Sequence, residues 1–186
     1  MEVVVGAILT QNTAWANVER AIRNLRREKL LSVERLAAVD EARLAELIRP
    51  SGYFNQKARR IRVFIELLRA RFGGRISRLC ALPLPELRET LLAVNGIGPE
   101  TADSIILYAA KKPVFVVDAY TRRFMVRHGW ATKNESYDEL AARFTRQLEP
   151  DTALYNEYHA LIVQLGKSCC RPREPKCDEC PLRNWL

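Results

Sequence analysis

Along nearly the whole chain, apolar residues return every three or four positions, a rhythm that buries one side of a helix. Val18, Ile22 and Leu25 form one such stripe, and Ala58, Ile61, Phe64, Ile65 and Leu68 form another. Leu154, Tyr158, Leu161, Ile162 and Leu165 form a third. Helix starts are marked as well. Asp40 stands ahead of Leu44, Leu47 and Ile48, and Asn55 ahead of the second stripe, both suited to N-caps. Ser136 and Glu139 have capping-box spacing ahead of Leu140, Phe144 and Leu148. Pro85 and Pro99 suit first helical turns, and Gly166 is read as the stop of the last long helix. Only the stretch 114–117, Val-Phe-Val-Val, looks extended, and four residues make no sheet. The expected fold is therefore all-α, with nine or ten short helices.

With 186 residues the chain can form one substantial domain or two small helical lobes. Lys and Arg number 30 against 22 Asp and Glu, a formal charge of +8. That excess, mostly arginine, fits a polyanionic partner held through counterion release. The apolar run 3–9 is short, follows Glu2 and has no basic segment before it. It reads as a buried helix, not as a signal peptide or membrane span. Of five cysteines, Cys80 stands apart as an expected buried apolar residue, while Cys169, Cys170, Cys177 and Cys180 cluster near the end. Without an export signal, such a cluster points to a metal or iron–sulfur site before disulfides, and to the cytoplasm of a microbe.

The stretch 91–110 is the most informative. A helix ends near Ala93, and Val94, Asn95, Gly96, Ile97 and Gly98 make a tight turn before Pro99 opens a second helix. Two glycines around one apolar residue let the backbone turn sharply and approach another surface closely. Ile97 would point inward and pin the turn, leaving amides and a helix N-terminus to hold a phosphate. Such a contact reads backbone and not base sequence. After 114–117 come Asp118 and a basic helix with Arg122, Arg123 and Arg127. An aspartate there reads equally as a helix N-cap.

The segment VNGIGPETAD…VFVVDAYTRR resembles the signature of the endonuclease III superfamily of helix-hairpin-helix DNA glycosylases. VGAILTQNTAW (5–15) is similar to the first core helix and damage-site turn of that family, and RPSGYFNQKARRI (49–61) to its minor-groove loop. The resemblance runs in order over almost the whole chain, and relatives carry a further N-terminal segment. It implies a two-lobed monomer acting on double-stranded DNA with damaged bases, nucleoid-associated in a microbe. One lobe would span 6–126 with the hairpin at 91–110. The other would combine 1–5 with 127–186, the active site lying in the cleft.

In those terms Asp118 is the catalytic carboxylate, which stabilises positive charge developing on the deoxyribose and orients water. Bifunctional members carry a lysine two residues after the second hairpin glycine, whereas this chain has Glu100, which cannot form an imine. That places it nearest the monofunctional 3-methyladenine branch. The resemblance assigns Asn95, Gly96, Ile97, Gly98 and Thr101 to DNA binding, with Asn55 and Lys57 beside the wedge Tyr53, and Gln11 filling the void left by the flipped base. Trp15, one helical turn after Gln11, would form a stacking wall for a cationic alkylated purine such as 3-methyladenine. A base of that kind leaves readily, which accords with reading His128 and His159 as structural and no histidine as near Asp118. Family members hold a [4Fe–4S] cluster through cysteines spaced C-x6-C-x2-C-x5-C. Cys170, Cys177 and Cys180 match the first three, and the fourth position is Leu186. Cys169 as fourth ligand, zinc, or no metal stay open. Two rival functions also stay open. One is a glycosylase for oxidised or mismatched pyrimidines, with or without lyase activity; the other is a non-enzymatic hairpin DNA-binding module.

Overall fold

A computed structural model describes residues 1–185, so the fourth cysteine position, Leu186, lies outside the described residues. Among those residues the regular structure is all helical, as expected, but eleven α-helices form where nine or ten were anticipated. The short helices α3 (Val33–Ala38) and α6 (Ile76–Cys80) are too brief to show a repeating stripe. No helix among the described residues is long and apolar enough to cross a membrane.

The chain packs as two compact units, Met1–Ala110 and Lys111–Leu186. In the first, α1 (Glu2–Leu9) is an interior helix: Val4, Val5, Ile8 and Leu9 are all buried. It packs against α2 (Trp15–Arg27), α5 (Phe54–Phe72) and α8 (Pro99–Tyr108). The long α5 also backs α3, α4 (Glu41–Leu47) and α6, while α7 (Leu84–Leu92) pairs with α8. Val18, Ala21, Ile22 and Leu25 of α2 are buried, the stripe read from the sequence. Asp40 caps α4 by accepting from the amides of Ala42 and Arg43. Asn55 does not cap α5; the helix begins a residue earlier, after Tyr53 in the left-handed region at φ 46°. Asn55 therefore lies inside the first turn of α5, where it cannot serve as the N-cap.

The second unit contains α9 (Ala119–Arg127), α10 (Tyr137–Thr145) and α11 (Thr152–Ser168). Its core is aromatic. Phe115, from the extended stretch, stacks on Phe144 with ring centroids 3.9 Å apart, and Tyr155 meets it edge-on at 5.5 Å. The capping box of Ser136 and Glu139 starts α10. Gly166 does not stop α11, which runs two residues further. Its role is packing: a Cβ there would lie 2.3 Å from the Tyr120 ring, so the glycine lets α9 and α11 approach closely.

Candidate active site and nucleic-acid interface

In the first unit the hairpin between α7 and α8 forms as the sequence indicates. The Ile97 amide donates to Val94 O at 3.0 Å, closing the turn, and the Ile97 side chain is buried. Gly96 has φ 87°, and a Cβ on it would fall 2.5 Å from the Arg60 side chain. Conformation and space both call for glycine. Gly98 differs: its φ suits any residue, and a Cβ would meet nothing within 4 Å. Asn95 and Gly98 are exposed, whereas Thr101 is buried beneath them.

Gln11 follows α1 in a turn where Asn12 is left-handed at φ 53°. Its side-chain amide is turned onto the hairpin, donating to Gly96 O at 3.0 Å and to Thr101 Oγ1 at 2.8 Å. Arg60 of α5 donates to its carbonyl oxygen. Tyr53 projects from its loop, 64 % exposed, with Asn55 exposed beside it. Lys57 departs from the expectation of a DNA contact. It is only 1 % exposed, and its ammonium donates to Leu9 O at 2.9 Å and Ser51 O at 2.6 Å. An amine held inside by two carbonyls is a bracket between chain segments, not a phosphate ligand. Burial, with the neighbouring Arg60 cation, pushes its pKa down to about 8. Trp15 opens α2, 51 % exposed, its indole donating to Glu19 at 2.8 Å.

In the second unit Asp118 caps α9. One carboxylate oxygen accepts from the Thr121 amide at 2.8 Å and from its hydroxyl at 3.0 Å. The other lies 3.4 Å from His159 Nε2 on α11, and both side chains are 13 % exposed. The expectation that no histidine stands near Asp118 is therefore overturned. Packing of α9 on α11 joins residues 41 positions apart, which no local pattern discloses. Burial raises the Asp118 pKa, but the His159 contact and the Thr121 amide and hydroxyl outweigh it. The net effect holds the carboxyl below its ordinary value. A half-buried carboxylate kept charged at neutral pH suits stabilisation of a nearby developing cation.

The model of the HhH-GPD superfamily of base excision DNA repair proteins matches residues 5–150. The chain belongs to this superfamily. It is a DNA glycosylase of base excision repair, related to endonuclease III. A Methanocaldococcus jannaschii protein that carries the provisional name DNA repair glycosylase is 47 % identical over 99 % of this chain and 84 % of its own length. Endonuclease III of Thermotoga maritima is 31 % identical over 98 % of this chain and 80 % of its own. The crystal structure of 3-methyladenine DNA glycosylase MagIII of Helicobacter pylori, bound to 1,N6-ethenoadenine, superposes with a TM-score of 0.76 at 30 % identity. That likeness covers 89 % of this chain and 84 % of the other.

The cysteine tail of this HhH-GPD glycosylase can be tested for the cluster its relatives imply. Cys169, Cys170, Cys177 and Cys180 line one small cavity together with Arg127, His128 and Lys176. Arg127 donates to Cys170 Sγ at 3.3 Å, and the Cys180 amide closes a turn on Cys177 O at 3.1 Å. Among the described residues no three side chains converge tightly enough to ligate a single ion. Cysteine sulfurs beside Arg127 and Lys176 are soft donors of the kind that hold an iron–sulfur cluster or zinc. His128 has Nδ1 3.0 Å from Trp185 O and its ring beside Phe124 and Trp130. Cys80 is only half-buried.

Proposed function

We propose that the protein is a monofunctional glycosylase in which ionised Asp118 drives hydrolysis of the N-glycosidic bond of a flipped base. The geometry of Asp118 carries this reading: a carboxylate fixed by Thr121 and His159, with its pKa held low. As the C1′–N bond breaks, its electron pair leaves with the base and positive charge grows on the sugar. Water bonds to C1′, and its proton passes to Asp118. Glu100, exposed in the first turn of α8, supports the monofunctional assignment, because a carboxylate cannot attack C1′ to give an imine. The hairpin would hold the DNA backbone. Gly98 needs no glycine for its own fold, so close approach of a phosphate gives it a reason. Gln11 and Tyr53 would enter the base stack, Gln11 after leaving Gly96 and Thr101. Cys170, Cys177 and Cys180, with Cys169 on the same cavity, would hold a [4Fe–4S] cluster that braces the tail and takes no part in bond cleavage.

For the substrate, alkylated purines such as 3-methyladenine are supported by the half-exposed Trp15 indole and by the likeness to MagIII bound to 1,N6-ethenoadenine. One observation favours a second reading. His159 beside Asp118 supplies an acid that a poorly leaving, damaged or mismatched pyrimidine would need and a cationic purine would not. Base release from duplexes carrying single defined lesions, scored for strand breaks before and after alkali, separates these readings. Methylated purine release with breaks only after alkali is the expected result. Pyrimidine release with the same pattern moves the substrate and leaves the mechanism standing. Breaks without alkali, with an adduct trapped by borohydride, would replace hydrolysis by lyase chemistry.

A further inference from the structure

The first two turns of α5 carry two cations on one face, Lys57 and Arg60, that reach three separate loops of the first unit. Lys57 donates to Leu9 O, the last residue of α1 before the Gln11 turn, and to Ser51 O, two residues before Tyr53. Arg60 donates to the Gln11 side chain and lies across Gly96, where a Cβ would displace it. Gln11 in turn donates to Gly96 O and Thr101 Oγ1. Apart from Ser51, six residues before Lys57, these partners are far apart in sequence, and Lys57 is as buried as the apolar core. Keeping a long cation inside a protein is costly unless its hydrogen bonds are needed. Here its donors meet main-chain carbonyls at the end of α1 and at the end of the Arg49–Ser51 turn.

We propose that Lys57 and Arg60 are positioning residues that lock the Gln11 turn, the Tyr53 loop and the Gly96–Gly98 hairpin into one rigid platform for entering DNA. This rests on the reading of those three loops as the DNA-facing surface. With the platform intact, the backbone of the Gln11 turn and the Tyr53 loop meets DNA in one register with the hairpin, and only the Gln11 side chain exchanges its bonds to Gly96 and Thr101 for the base stack. Without it, the hairpin still grips, but Tyr53 and Gln11 no longer arrive together.

The test uses a duplex with a tetrahydrofuran abasic analogue opposite 2-aminopurine, a probe with no base to release at the lesion. Anisotropy of a labelled end reports binding, and 2-aminopurine fluorescence reports entry into the stack. Wild-type protein should bind and change the fluorescence. Lys57→Met and Arg60→Met should bind within ~3-fold of wild type yet lose ~10-fold in the rate or amplitude of the fluorescence change, as misplacement of positioned groups predicts. Circular dichroism checks that each variant is folded, and Arg60→Met, at a partly exposed site, carries the test if Lys57→Met does not fold. Folded variants with a full fluorescence change would overturn the proposal while the DNA-facing reading stands. A wild-type protein that binds without any fluorescence change would overturn that reading and the proposal with it.

Discussion

Lys57 in the first unit and Asp118 in the second are both withdrawn from water, and their surroundings act on their charges in opposite senses. Lys57 is surrounded by neutral carbonyls and has Arg60 as a neighbour, so burial prevails and its pKa falls to about 8, toward the neutral amine. Asp118 is less deeply withdrawn, and the start of α9 offers it an amide and a hydroxyl, while α11 offers it His159. These outweigh burial, and the carboxyl stays charged. The difference shows what each position is for. A bracket needs donors and tolerates losing charge, because a neutral amine still has two N–H groups for two carbonyls. A group that must answer a cation in the transition state needs charge, and its surroundings are arranged to keep it.

The largest expected effect comes from removing that charge. Asp118→Asn keeps a helix-capping side chain but should lower single-turnover base release by ~10³-fold, with the melting temperature nearly unchanged. A variant with wild-type release would leave the hairpin DNA-binding module as the better description. His159→Gln should slow base release by ~10- to 100-fold and move the acid limb of the pH profile upward. The sign follows from Asp118: the acid limb reports loss of its charge, and the contact with His159 helps to hold that carboxyl below its ordinary value. Without His159 that depression shrinks, so an unshifted limb would remove His159 from the account. Gly166→Ala attacks the same seam by packing. Its Cβ would meet Tyr120, and overpacking there should cost about 1–3 kcal/mol in a denaturant titration. Smallest is the pH signature of Lys57. Between about 8 and the ordinary value of 10.5, the unfolded chain binds more protons than the folded one. Stability therefore rises with pH across that window, and Lys57→Met should flatten the rise.

The sequence disclosed what is local. The hairpin glycines, the Asp118 cap, the Ser136 capping box and the buried stripes of α2 and α5 each depend on neighbours within a turn or two. Gly166 was legible as a special residue but not for its reason, since a helix stop and a close helix crossing use the same amino acid. Lys57 looked like a surface cation because its type is usually exposed; its carbonyl partners at Leu9 and Ser51 come from the packing of α1 and the Arg49–Ser51 turn on α5. Arg60 had a faint signal, three positions after Lys57 on the same helical face. His159 had none, because its pairing with Asp118 exists only once α9 and α11 meet.

The most direct test is the ionisation of Asp118 itself, followed by carboxyl-carbon NMR in selectively labelled protein, with Asp118→Asn identifying the resonance. The account predicts a carboxylate that stays charged below its ordinary value of 3.8 and whose midpoint rises in His159→Gln. A carboxyl that takes up its proton above that value in the wild-type protein would contradict it, because the charge assigned to the chemistry would be missing.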